Sequence, residues 1–98
     1  MATVIVIYPS GPAFDLEYYL QKHMPLVSSI WGSAGLQSYD VLTFSEGPYQ
    51  VQAVLKWDNL DSVAAGFSSA GAEQIFGDVK NFTTAEPIVQ KGNIAGSG

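Results

Sequence analysis

The chain has 98 residues, a formal net charge of −5, a single His and no Cys. At this length it supports one core, and with 47% hydrophobic and 13% charged residues it is too apolar to remain disordered. Lacking Cys and Arg, it has no disulfides, thiolate nucleophiles, Cys-bearing zinc sites or guanidinium forks, and its excess of carboxylates repels a nucleic-acid backbone.

Residues 3–8 form a β-branched run that ends at Pro9 and the breakers Ser10-Gly11-Pro12. Its apolar continuity predicts a central strand buried on both faces. The run is too short for a signal core, and no stretch approaches the roughly 20 apolar residues of a membrane span. The expectation is therefore a cytoplasmic protein with neither membrane nor nucleic acid as partner. A helical stripe follows at Leu16, Tyr19, Leu20, His23, Val27, Ile30 and Trp31, with Asp15 as N-cap. Pro25 interrupts it and predicts a kink or restart near His23-Met24, and Gly32-Ser33-Ala34-Gly35 ends it.

Strands are expected over 36–44 and 49–57, the second alternating cleanly with Tyr49, Val51, Ala53, Leu55 and Trp57 on one face. Asp58 or Asn59 caps a second helix with Leu60, Val63, Ala64, Phe67 and Ala70 on its apolar side. Residues 71–83 have room for a further short helix, and 85–91 read as a last strand that Pro87 confines to an edge. Asn81-Phe82-Thr83 matches a glycosylation sequon, a pattern short enough to arise by chance. The domain spans 1–94, and 95–98 read as a flexible tail.

This β-α-β-β-α-β order predicts an α+β, ferredoxin-like fold: a four-stranded antiparallel sheet with the helices on one face. The other face is left bare while its first strand is apolar on both sides. A homodimer in which two sheets meet face to face resolves that conflict, giving a dimeric α+β barrel.

Residues Tyr18-Tyr19-Leu20-Gln21-Lys22-His23-Met24-Pro25-Leu26 resemble the EthD family, named for ethyl tert-butyl ether degradation. The first helix of that family carries aromatics followed by His, one residue and Pro, matched here by His23 and Pro25. Asp78-Val79-Lys80-Asn81-Phe82, an Asp four residues before a Phe, is a second similar segment, and the resemblance covers about residues 3–92. It implies the dimeric α+β barrel superfamily and a role in oxidative degradation or tailoring of apolar small molecules.

His23 is the only side chain whose ordinary pKa lies near neutrality. Three roles are open to it: an acid or base facing a cavity, an axial metal or haem ligand, or a helix pin bonded to Asp78 or a carbonyl. Asp78 is paired with it as the candidate catalytic carboxylate, with an N-cap role as the alternative. Tyr19, Trp31, Tyr39 and Phe82 are the candidate pocket-lining aromatics, suited to an apolar or aromatic ligand. No phosphate loop, dinucleotide fingerprint or nucleophile elbow is present, so no bound cofactor and no metal are expected. The readings that compete are a cofactor-independent oxidoreductase or accessory enzyme, a non-catalytic carrier of a hydrophobic metabolite, and a haem-binding barrel.

Overall fold

The computed structural model describes residues 1–98. Strands β1 (Ala2–Pro9), β2 (Leu36–Thr43), β3 (Tyr49–Trp57) and β4 (Ile88–Asn93) form one antiparallel sheet in the order β2-β3-β1-β4. This is the ferredoxin-like arrangement, with β1 central and β4 at an edge just after Pro87. Between the strands lie α1 (Leu16–Tyr18), a π-helical turn over Tyr19–His23, α2 (Met24–Trp31), α3 (Leu60–Phe67) and α4 (Ala70–Gly77). The segment 71–83 thus does hold a helix. No helix is long and apolar enough to cross a membrane.

The sheet alternates as its sequence directs. Val51, Ala53, Leu55 and Trp57 of β3 are buried beneath the helices, as are Ala2, Val4, Val6 and Tyr8 of β1. Burial of β1 on both faces is not met within one chain: Ile5 and Ile7 on the second face are only half-buried. In β2 a register shift between Leu36 and Ser38 inserts one residue, so that Leu36, Tyr39 and Val41 pair with Trp57, Leu55 and Ala53 of the covered face.

Helix faces depart from the expected stripes. Leu60 is 37% exposed and Ala64 is also exposed, while Val63 and Gly66 turn inward and Phe67 is half-buried. The reason is crowding beneath α3. Trp57 is fully buried there, Trp31 stacks on Phe67 at 4.7 Å, and the Trp31 Nε1–H donates to the Gly66 carbonyl at 2.9 Å. Only a residue without a side chain fits over the two indoles. Gly35 has a similar constraint: its φ is +131°, and a Cβ there would lie 2.6 Å from Asp58 Oδ1.

Gly66 yields a test of this packing. An added Cβ would sit 2.8 Å from Trp57 Cη2 and 3.2 Å from the Trp31 ring. Alanine improves helix propensity by about 1 kcal/mol, whereas overpacking a core costs about 1–3 kcal/mol. Gly66→Ala is therefore expected to destabilise by about 1 kcal/mol, seen as a fall of roughly 4–8 °C in Tm. A Tm that rises would show that the indoles yield freely.

Candidate functional site

The site begins with a cap and a proline. Asp15 accepts the Tyr18 backbone N–H at 3.0 Å and starts the helix where expected. Six residues after Tyr19, Pro25 has no N–H to give, and its ring would strike the Gln21 carbonyl of a regular α-helix. The chain relieves this by widening a turn: the Met24 N–H bonds the Tyr19 carbonyl, five residues back. One extra residue in the turn shifts the phase of everything beyond it. Leu20 is thereby expelled to 45% exposure, and Met24 takes an inward position that a regular period does not assign to it. His23, 4% exposed, lies against Tyr19 with its ring nearly parallel at 5.3 Å.

Asp78 approaches from the other side of the helical layer, at the junction of α4 with a 3₁₀ turn over Val79–Asn81. Its Oδ2 lies 2.9 Å from His23 Nδ1. Its Oδ1 accepts the Tyr18 hydroxyl at 2.7 Å and the Asn81 amide at 2.9 Å. Three donors on one carboxylate hold its position and its charge. Burial pushes the Asp78 pKa up, but the hydrogen bonds from Tyr18, Asn81 and His23 outweigh it and leave the group below its ordinary value. By donating to Asp78, the Tyr18 phenol is itself raised. For His23 burial is the larger effect and lowers its pKa, against the opposing pull of Asp78. The imidazole is consequently neutral at pH 7. An ionised carboxylate only accepts, so Nδ1 carries the proton and Nε2 keeps its lone pair.

His23 also lines a cavity between sheet and helices. Val6, Ala53 and Leu55 form its floor, Tyr19, Met24, Val27 and Trp31 one wall, and Ile75, Phe76 and Val79 the other, with Tyr8 closing one end. Of its 12 lining residues 11 are hydrophobic, and His23 is the exception. The cavity measures about 20 Å³, room for one water. A porphyrin is far too large for it, so the residues present do not fit haem. No group of three or more His, Asp or Glu side chains is placed to hold a metal.

Among the candidate residues, His23, Asp78, Tyr19 and Trp31 come together, the first two bonded and the last two in the cavity wall with His23. Tyr39 and Phe82 lie off the cavity. Tyr39 stands on edge strand β2 beside a shallow surface depression with Ser28, Gly32 and Leu36. Phe82 packs behind the wall, 5.7 Å from the Tyr8 ring and 4.7 Å from His23. Sequence reasoning did not single out Tyr8, Met24 or Asn81 as site residues. Only Asn81 had a readable signal, its three-residue spacing from Asp78, which suits a helical turn.

No family model and no curated protein sequence matches the chain. Solved structures do. An EthD-like protein from Ralstonia eutropha JMP134 superposes with a TM-score of 0.83 at 26% identity, over 99% of this chain and 94% of that one. The chain has the EthD-like fold from end to end. An ethyl tert-butyl ether degradation (EthD) family protein from Bacillus halodurans C-125 gives 0.77 at 18% identity, covering 96% of this chain and 98% of its own. SnoaB, a cofactor-independent oxygenase from Streptomyces nogalater, gives 0.70 at 10% identity over 98% and 93%. At these lower identities the likeness establishes the fold alone. The EthD resemblance drawn from His23, Pro25, Asp78 and Phe82 thus holds at the level of the whole structure.

The site of this EthD-like chain titrates in two stages. His23 is lowered from 6.5, so just below that pH the unfolded chain binds more protons than the folded one, and stability falls as pH drops. Asp78 is lowered from 3.8, so its contribution is intact above that pH and is lost below it. Because there is one His, its ring protons report the first stage directly by NMR. We expect a midpoint below 6.5, and a still lower one in Asp78→Asn, which removes the group that favours the cation. A wild-type midpoint at or above 6.5 would mean that Asp78 outweighs burial.

Proposed function

We propose that this protein binds an apolar small molecule with a weakly acidic proton, and that His23 takes that proton in tailoring or degradation chemistry without a tightly bound cofactor. One observation carries the reading: an imidazole whose Nδ1 is held by the Asp78 carboxylate at 2.9 Å, and whose Nε2 has no hydrogen-bond partner in the protein, lines the cavity between sheet and helices. A base with a pKa near or below neutrality suits abstraction at neutral pH, and general-base catalysis supplies about 10²–10⁴ in rate. In the step, a substrate O–H or activated C–H bond breaks and the proton passes to Nε2. The electron pair stays on the substrate as phenolate or enolate, and the new imidazolium is paired with Asp78. The description of SnoaB as a cofactor-independent oxygenase supports chemistry of this class.

A substrate must enlarge a cavity that has room for only one water. Met24 and Phe76 are suited to yield: Met is flexible, and Phe76 is 38% exposed on the wall. 4-Nitrophenol, whose colour reports its ionisation, tests the reading. The wild type is expected to bind it and turn it to phenolate at a pH where the free probe is largely neutral. His23→Gln, which keeps a donor toward Asp78, should bind it without the colour change. A wild type that neither binds nor ionises the probe would overturn the reading.

The same protein, we propose, works as a homodimer through the open sheet face. Support comes from the cross-strand pairs there: Ile5 faces Val54, Ile7 faces Ile88, and Leu42 and Phe44, each 40% exposed, continue the apolar strip. A stable pairing buries about 800 Å² per partner. Val4 and Val6 point to the helices, so the informative substitution is Ile7→Asp. Sedimentation velocity should show a dimer for the wild type and a folded monomer for Ile7→Asp. A wild-type monomer at micromolar concentration would defeat the proposal.

A further inference from the structure

His23 is not the only polar group in the cavity. Tyr8, from β1, and Tyr19, from the π turn, line it too and are 2% and 1% exposed. The two hydroxyls lie against each other, close enough for Tyr19 to donate to Tyr8, and no other side chain or carbonyl bonds either of them. His23 Nε2 has no hydrogen-bond partner in the protein. A mutually bonded pair of phenols and one free imidazole nitrogen therefore belong to residues around a space for one water.

Packing does not account for the two hydroxyls. Phe14 and Phe82 occupy the same aromatic cluster, edge-on to Tyr8 at 5.1 and 5.7 Å and to Tyr19 at 5.1 and 5.0 Å, with no hydroxyl at all. A bond between the two phenols uses only one of their two protons, and burying the other without an acceptor is unfavourable, so one donor is left over for a ligand. Nor is there a cation to neutralise an anion in the cavity, since no Lys lines it and the chain has no Arg.

We infer that the Tyr8 and Tyr19 hydroxyls form a donor pair for the substrate oxygen that becomes negative when His23 takes the proton. This rests on the acid-base reading of His23 and adds to it a substrate class. The ligand carries a phenol, enol or carbonyl oxygen next to the acidic proton, and it is not a carboxylate or phosphate, which would need a cation. Burial keeps both phenols protonated well beyond neutral pH, so they remain donors throughout the working range. Such donors, fixed before the charge develops, stabilise an oxyanion without reorganisation. They come from two elements joined only through the core, so the pair exists only in the folded chain.

The experiment compares 4-nitrophenol with nitrobenzene, which has the same ring and nitro group but no oxygen acid. Binding of both is measured to the wild type, Tyr8→Phe, Tyr19→Phe and His23→Gln, with Tm recorded for each. Each Tyr→Phe change is expected to weaken 4-nitrophenol roughly tenfold or more, the loss of one hydrogen bond to a charged group. The phenolate fraction of the bound probe should fall as well, with nitrobenzene affinity unchanged. If the wild type ionises 4-nitrophenol but both Tyr→Phe variants match it, the donor pair is wrong while the base stands. If nitrobenzene weakens equally, the hydroxyls serve packing, and the inference is again overturned. If the wild type does not ionise the probe, the reading of His23 fails and the donor pair with it. Two independent variants guard against a folding defect in either one.

Discussion

A proline two residues after the only histidine sets the geometry on which the site depends. Pro25 cannot continue a regular helix, and the chain answers with one wide turn over Tyr19–His23. Without the added residue, Leu20 would point inward with Tyr19 and His23, and Met24 would not. The cavity would then be filled by a leucine. With it, Leu20 leaves, Met24 becomes a flexible wall, and the His23 ring lies parallel on Tyr19. A local defect in hydrogen bonding has thus been used to open space beside an imidazole.

That imidazole is kept useful by a long-range bond. Asp78 is 55 residues away in sequence and reaches His23 only because the fold packs the end of α4 against the π turn. A carboxylate whose side chain is 13% exposed would be costly alone. Here three donors hold it ionised, and two of them, Tyr18 and Asn81, have no contact with the cavity. Burial and pairing pull the imidazole in opposite directions and burial wins, so it is a neutral base by default and becomes a cation only when it has taken a proton. A pair used merely to staple two helices would need neither the uncommitted Nε2 nor the cavity beside it.

The sequence was most legible where one local force decided the outcome. The alternation of β3 is correct from Val51 to Trp57 because a pleated strand under helices has only two faces, and it lapses only at Tyr49, half-buried where the ladder with β1 is irregular. Asp15 and Asn59 cap their helices because a free N–H at a helix start accepts few substitutes. The element order sufficed for the sheet topology, since short connections leave one arrangement. Legibility failed where a period was interrupted or a third element intervened. Leu20 and Met24 were misplaced by a turn that adds a residue, and Leu60 and Ala64 by the Trp31–Trp57 pair, which admits only Gly66 above it. Tyr39 and Phe82 were grouped with the pocket by residue type alone, and type carries no information about distance. The link between His23 and Asp78 was visible only through the likeness to a family.

The alternation that makes β1 a good central strand also joins the two proposed activities of the protein. Val6 and Tyr8 lie on the cavity side, while Ile5 and Ile7, between and beside them, lie on the open side. A one-residue slip would exchange the sets, putting a phenol on the open face and an isoleucine in the cavity. Register is therefore specified twice, from both sides of the sheet, and β1 is held by β3 on one flank and β4 on the other. A second chain laid on Ile5 and Ile7 would confine the strand that carries Tyr8 without touching the cavity. Rigidity of that strand is what a donor aimed at a developing charge requires, because a hydroxyl that must swing into place gives back part of its benefit. The opposite wall, Phe76 and Val79, has no strand behind it, and Phe76 is 38% exposed. The sheet side of the cavity is thus built to hold position and the helix side to admit a ligand, a division that follows from where the hydrogen-bond ladder runs.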